Sequence, residues 1–476
     1  MGELDGAEFD LVVLGTGLEE SLLASEVAAT GQTVLHVDRN PFYGGLSASF
    51  TLSRLFEWAL QYRDQRLVPR VELIMGTLSS PPSLVFEGLS DTGDVREVLE
   101  AAGRVEDVGR VGALLEGDRG YSLELVPRVA LCRGAMVDLL VDAGVGEYVQ
   151  FRGIEHNYLV REGGVERVPE SKEDVFASKQ LSLIEKRKLM RLMTTMADEQ
   201  LCVEKLAGVG TMSFEEFVRE RFKLDGGLLD AVVHAVARAD GATTAAEGCG
   251  RVRAYVNSIG RYGRMAYLCG LYGGASEIAQ AFTRLCAVSG GTYILDETIA
   301  AVEPVDQGIV VKLDHGAVRA RRVVMDPSYA ELEPAVEATV RVSRALCILD
   351  KPALGDDTTA LATYVGEQGV VSLLYMTQAT MAVPKGQSVL YAWMEGALEA
   401  RRPLLAAALA ATYGNSAGPL LTLFMEMHAL KPKAQLSPNI ICTSPLDASV
   451  DFDGVVDAAR HILDTHFRAE EKDGGV

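Results

Sequence analysis

This sequence predicts an α/β protein whose alternation of strands and helices is broken by an all-helical insert. Two observations carry that prediction. Residues 9–50 read FDLVVLGTGLEESLLASEVAATGQTVLHVDRNPFYGGLSASF, the layout of a βαβ dinucleotide-binding opening. Residues 171–268 carry helix signals almost throughout, and strand-like runs stand on both sides of them.

In the opening unit, Phe9 to Leu14 form an apolar strand, and Gly15 and Gly17 make the turn. A helix follows through Ala28, and a second strand, Thr33 to Val37, ends on Asp38. Such a unit holds a pyrophosphate on the helix N-terminus and a ribose on the acid. The third glycine position, however, is Glu20. Its carboxylate enters the first helical turn near the place of the phosphates, and its side chain fills space meant for close helix–strand packing. Gly15, Gly17 and Asp38 argue for the fold; Glu20 argues against the cofactor. The expectation is a flavoprotein-like, FAD/NAD(P)-binding Rossmann-type domain lacking flavin, with a vestigial turn and no cofactor.

Residues 51–63 then read as a short helix, and 64–118, a mixture of Pro, Gly and charge, as strand and loop. Met136, Leu139, Leu140 and Ala143 recur at i, i+3, i+4 and i+7 on an amphipathic helix from Arg133 to Gly144. Residues 148–169 form a hairpin about Gly163-Gly164. Three capping boxes punctuate the helical block: Ser171 with Asp174, Ser182 with Glu185, and Ser213 with Glu216. Leu189, Leu192, Met193 and Met196 share one face, and residues 237–249 read as a small, polar, mobile loop. Strand-like runs resume at Gly308 to Leu313, Val340 to Ile348, Val389 to Met394 and Asn439 to Cys442, before a last helix from Asp453 to Phe467. The chain therefore crosses between two domains. Residues 1–133 open the larger α/β domain, 134–146 give the small domain its first helix, and 147–170 return to the larger one. Residues 171–268 build the small helical domain, and 269–476 complete the larger.

The chain has 476 residues, 48% hydrophobic, enough for two domains. A net charge of −21 disfavours nucleic acid and an anionic membrane as standing partners. The seven cysteines are scattered without a CxxC pair, which suits reduced thiols, and the seven histidines show no metal-ligand spacing, so no metal is expected. No signal peptide, bilayer-spanning run or lipidation motif is evident, and a cytoplasmic protein is expected. No GxSxG, P-loop or HExxH motif is present, so no catalytic residue is assigned.

Three constellations stand out. Glu277, Gln280 and Arg284, at i, i+3 and i+7, line one face of a helix that Ser276 could cap, while Ile278, Phe282 and Leu285 pack inward. Just downstream, Gly290-Gly291-Thr292-Tyr293-Ile294 starts a strand with a partly exposed aromatic. Tyr and Arg together suit a protein-binding hot spot; spacing alone favours an ordinary solvated face. Arg39 to Gly45 follow the second strand, and Leu46 stands where a flavoenzyme commonly has a basic residue. That segment reads as a structural turn from which Tyr43 could project. Phe176 and Arg187 fall on successive short helices, beside Lys186, Lys188 and Arg191; they read as a docking anchor or, more plainly, as core and solvated face.

Together these motifs resemble the superfamily of Rab GDP-dissociation inhibitors and Rab escort proteins. The similar stretches are LGTGLEESLLA, VLHVDRNPFYGG, RYGRMAYLCGLYGG and AFTRLCAVSGGTYIL, and GGLSASFTLSRLFEWALQY and DVFASKQLSLIEKRKLM look most like the escort branch. The resemblance implies a platform for GDP-loaded Rab GTPases at Tyr43, Arg261, Glu277, Gln280, Arg284, Thr292, Tyr293 and Ile294. It implies an apolar groove for the Rab C-terminus at Val149. Phe176 and Arg187 match the escort-protein residues that dock on the α subunit of Rab geranylgeranyltransferase, and dissociation inhibitors lack the phenylalanine. The geranylgeranyl lipid is expected between helices of the small domain, with transient membrane contact and no catalysis by this chain. One departure stands out: where the family reads PLYGxGELPQ, residues 270–280 read GLYGGASEIAQ, with both prolines gone and one residue inserted before Glu277.

Overall fold

The computed structural model describes residues 5–61, 67–78, 82–86, 94–170, 172–179, 181–332, 336–355, 357–432 and 436–468. The opening unit forms as its pattern predicts. The strand Glu8–Leu14 lies parallel to Val34–Val37, with Leu11 opposite Val34, and parallel to Gly316–Met325 on its other side. Thr292–Ile294 adds a parallel edge beside Val34–Val37, pairing Tyr293 with His36. The first helix, Leu18–Ala29, has almost no solvent face. Its Leu22, Ala24 and Val27 pack in one cluster with Ile278, Ala279 and Phe282 of a second helix and Val456, Ala459 and Leu463 of a third. Burial on all sides explains its weak amphipathic pattern.

A second, nine-stranded sheet forms the other half of the larger unit. The expected hairpin, His156–Arg161 with Gly164–Arg167, joins it through parallel pairing with Ala360–Gly366. The run expected at 340–348 is a longer strand, Val336–Leu349, paired on both sides. Residues 64–118 differ from expectation: besides the strands Arg70–Met75 and Leu84–Phe86 they contain helices Val95–Ala101 and Val105–Leu115. Asp94 caps the first of these by accepting from the Arg96 N–H. Val105–Leu115 buries Val111 and Leu114 despite two internal glycines.

The small unit has its own core, drawn from Val175 to Val252. Leu189, Leu192, Met193 and Met196 are buried on one face of Leu183–Ala197, as their spacing predicts. The boxes at Ser182 and Ser213 close as expected, whereas Ser171 lies outside the described residues. Of residues 237–249, 238–243 are without helix or strand as expected, whereas 245–249 are corrected. Thr244 and Glu247 form a further capping box, and its helix runs Ala245–Ser258. Gly248 and Gly250 disguise that helix in the sequence, and Gly248 is there for packing: a Cβ on it would fall 2.1 Å from Cγ of Phe214. The helix Ala135–Asp142, read as belonging to the small domain, packs Met136, Val137 and Leu140 into the larger unit beside its first and last helices. The two units are joined by polar links and an apolar seam: Asn157 Nδ2 donates to the Ala235 carbonyl at 2.9 Å, Arg161 pairs with Asp230 at 2.7 Å, and Leu159 and Val168 pack with Ala231 and Ala235.

Gly248→Ala drives a methyl group into Phe214, an overpacking that costs about 1–3 kcal/mol. Urea unfolding followed by circular dichroism should show a lower midpoint; an unchanged midpoint would mean that Phe214 yields without cost.

Candidate functional site

Asp38 sits at the end of its strand, as predicted, but its carboxylate is saturated from within. It accepts from the Thr16 N–H at 2.8 Å, the Thr16 hydroxyl at 2.6 Å, the Asn40 N–H at 2.8 Å, the Asn40 side chain at 3.0 Å and the Tyr329 hydroxyl at 3.2 Å. Tyr329 also lies against the glycine turn, where a Cβ on Gly15 would come within 3.2 Å of its ring. Arg39 stacks on its other side at 3.7 Å. Glu20 is 3% exposed and folds back over Gly17, leaving a Cβ there 2.3 Å from its Oε2. Thr443 donates its hydroxyl to Glu20, and the Ser444 N–H donates to Glu19 at 3.1 Å. Burial pushes the Glu19 carboxyl up to about 7; burial, then Asp326 and Glu19, hold Glu20 well above the usual carboxylate range. The ribose acid is thus satisfied, and a carboxyl group covers the phosphate turn. The cavity left there is about 210 Å³, below the roughly 300–1,000 Å³ of ordinary ligand sites. Asp38 and the glycine turn are thus engaged within the chain itself.

The same network carries a surface. The Gly44 N–H donates to the Thr16 carbonyl and hydroxyl, each at 3.0 Å, which fixes the loop that presents Tyr43. His36, wholly buried and hydrogen-bonded to the Gly15 carbonyl, lies 4.9 Å from the ring of Tyr293. Desolvation pulls its pKa down to about 4, so the imidazole is neutral. Tyr293 meets Tyr43 edge-on at 6.0 Å. Thr292 is exposed, and Tyr293 and Ile294 are half-buried on the same edge strand.

Glu277, Gln280 and Arg284 lie on the helix Gly274–Val288, which packs Ile278 and Phe282 inward as expected. Gln280 and Arg284 are exposed and Glu277 is half-buried. Ser276 is not the cap. It is buried in the first turn and accepts from the Gln280 side chain at 2.9 Å. The helix is capped from another strand: Glu124 accepts from the Ala275 N–H at 3.2 Å. Nothing in the spacing near residue 276 could reveal a cap 151 residues away.

Arg261 stands apart from these side chains. It donates to the Cys132 carbonyl at 2.9 Å and to Asp138 at 2.7 Å, bracing the helix Ala135–Asp142. Val149 is 4% exposed and belongs to the core, so its own side chain offers no apolar surface. Its neighbour Tyr148 faces out instead and stacks on Arg284 at 4.6 Å.

On the small unit, Phe176 is 66% exposed on the helix Lys172–Ala177, and Arg187 is exposed on Leu183–Ala197. Lys186 donates to the Phe176 carbonyl at 2.8 Å and pins the two helices together. Leu183 and Ile184 are also exposed. They stand opposite the Leu189–Met196 stripe, a signal that the sequence contained. Among the described residues, no His, Cys, Asp and Glu cluster could hold a metal, and no helix is long and apolar enough to cross a membrane.

The model of the GDP dissociation inhibitor family matches residues 5–70 and 104–469. The chain belongs to that family. It is 27% identical over 474 residues to the Rab proteins geranylgeranyltransferase component A of Drosophila melanogaster, covering 97% of this chain and 88% of the relative. It is 29% identical over 359 residues to a probable secretory pathway GDP dissociation inhibitor of Schizosaccharomyces pombe, covering 74% and 70%. In three dimensions it is similar to Rab GDI from Plasmodium falciparum, with a TM-score of 0.72 at 18% identity over 97% of this chain and 99% of that one. Family membership places Tyr43, Tyr293 and the Glu277–Arg284 stripe on a scaffold of the dissociation-inhibitor type, with Phe176 on a separate core.

Glu19 and Glu124 titrate near 7 and Glu170 near 8 in the folded chain, all raised by burial from about 4.5. The folded state holds the extra protons, so the stability these groups contribute is complete below about 4.5 and is lost as pH rises through 7 to 8. Unfolding free energy should fall across that window, and Glu19→Gln should make the fall shallower. A variant with the wild-type slope would show that Glu19 does not titrate there.

Proposed function

We propose that this chain is a Rab escort protein. It binds GDP-loaded Rab GTPases on the larger unit, presents them to Rab geranylgeranyltransferase through Phe176 and Arg187, and delivers the prenylated product to membranes. The observation that carries this reading is the exposed Phe176, held by Lys186 to the helix that carries Arg187, on a core distinct from the one under Tyr293, Glu277, Gln280 and Arg284. A large aromatic at that exposure suits a docking anchor. The similarity to component A proteins supports the escort branch.

The role is presentation, with the chemistry left to the transferase and its α subunit as the docking partner. A platform that clamps the GDP form of the Rab slows nucleotide release by favouring that state. Delivery follows from solubility. A twenty-carbon isoprenoid in water costs on the order of 10 kcal/mol at about 0.8 kcal/mol per CH₂-sized group, so the lipid needs an apolar shelter between the small unit's helices. The protein would work in the cytoplasm and meet membranes transiently. Since Val149 is core, the Rab tail would run past this segment on its neighbours. The similarity to dissociation inhibitors favours a second reading, a recycling chaperone that needs no transferase.

In a reconstituted reaction of Rab, geranylgeranyl diphosphate and transferase, prenylation should require this chain. Phe176→Ala should cut it by an order of magnitude or more while Rab·GDP affinity holds, and Arg284→Ala should lower Rab affinity while transferase binding holds. No prenylation, together with extraction of prenylated Rab from membranes, would favour the recycling reading.

The protein would work without flavin, because Asp38 is saturated and Glu20 and Tyr329 cover the turn. Glu20→Gly opens one of these obstructions and leaves the others. After incubation with FAD and gel filtration, that variant should show no visible flavin absorbance; bound flavin would mean that Glu20 alone was the barrier.

A further inference from the structure

The guanidinium of Arg284 lies 4.6 Å from the centre of the Tyr148 ring. Tyr148 comes from the turn after Ala135–Asp142, far in sequence from every platform element, and is 49% exposed. It is not a loose surface side chain. Val145 and Val149 on either side are buried in the core, and the Tyr148 N–H is bonded to the Val145 carbonyl at 2.9 Å. The next residue, Gln150, accepts from the Leu271 N–H at 2.9 Å, tying this segment to the turn that starts the platform helix. Two apolar pegs and a ladder bond therefore fix the backbone and turn the ring outward beside Arg284.

An arginine on a helix surface has many rotamers, and ordering it on binding is costly. A rigid ring beneath the guanidinium reduces that cost in advance. A guanidinium held over a ring uses none of its five N–H donors on it, so the fork stays available to a carboxylate. Tyr and Arg are also the side chains on which interface energy concentrates.

We propose that Tyr148 is a binding residue of the platform, acting with Arg284 as one preoriented pair that receives a carboxylate-bearing face of the GDP-bound GTPase. This rests on the escort-protein reading above for the identity of the partner. The pair extends the surface beyond the edge strand and the Tyr43 loop, onto the segment where the sequence placed Val149.

The test is a double-mutant cycle on Rab·GDP affinity, using the full chain and calorimetry. Tyr148→Ala should weaken binding about five- to tenfold, and Tyr148→Phe, which keeps the ring, should stay within about twofold. In an Arg284→Ala background, Tyr148→Ala should cost less than about twofold, because its partner is gone. Equal affinity of Tyr148→Ala and wild type would overturn the inference, as would an undiminished loss in the Arg284→Ala background. Those results leave the function standing, since wild type still binds. A wild-type chain that does not bind Rab·GDP sinks the functional reading and this inference with it.

Discussion

The saturated carboxylate of Asp38 is the constraint on which the rest of the site depends. A buried carboxylate is tolerated only when its oxygens are hydrogen-bonded, and here Thr16, Asn40 and Tyr329 supply the donors. Each donor then does something further. Thr16 holds Gly44 and so the Tyr43 loop, Asn40 leads into that loop, and Tyr329 closes the glycine turn. The backbone repeats the link: the Asp38 N–H bonds to the Ile294 carbonyl, and the Glu297 N–H to the Asp38 carbonyl. An acid whose position speaks for a ribose thus joins the Tyr43 loop to the Tyr293 strand. The residues of the turn and the strand end form one hydrogen-bonded frame beneath that surface.

That surface and the Phe176 anchor rest on different hydrophobic clusters. The platform helix packs with the first helix, and the anchor helices close over Leu189, Met196, Phe214 and Phe217. The units meet through polar links, as at Asn157 with Ala235 and Thr363 with His234, and through apolar contacts: Leu159 and Val168 cluster with Ala231 and Ala235, and Tyr255 packs with the larger unit's core.

The sequence was legible wherever one periodicity or one local motif decided the structure. The glycine turn, the Ser182 and Ser213 boxes and the Leu189–Met196 stripe are of that kind. It misled where glycine had a packing role: Gly248 faces Phe214 inside a helix that reads as a loop, although Thr244 and Glu247 spell its start. It was silent where distant strands supply the partner. Glu124 at the start of the platform helix and Tyr148 beneath Arg284 are set by topology, which spacing cannot encode. Val149 is a different case. The resemblance implied a groove there; in the structure this apolar side chain is turned inward, and its neighbour Tyr148 takes the outer position.

The segment 270–280 shows how the start of the helix that carries Glu277, Gln280 and Arg284 is fixed. Tyr272 and Gly273 both adopt left-handed backbone conformations, at φ 57° and 89°. A non-glycine residue stays there only when its surroundings over-determine it. Ser49 and Ser122 donate to the Tyr272 carbonyl at 3.2 and 2.5 Å, and the Tyr272 N–H donates to the Thr380 carbonyl at 3.1 Å. Gly273 must be glycine, since a Cβ on it would fall 2.4 Å from Cβ of Ser49. The turn ahead of the helix is therefore held on both sides. The helix itself begins under the Glu124 cap at Gly274, which leaves Glu277, Gln280 and Arg284 on one continuous face. Because all three side chains lie within the helix, their common face follows from 3.6 residues per turn alone, and the turn with its cap fixes only where that face begins.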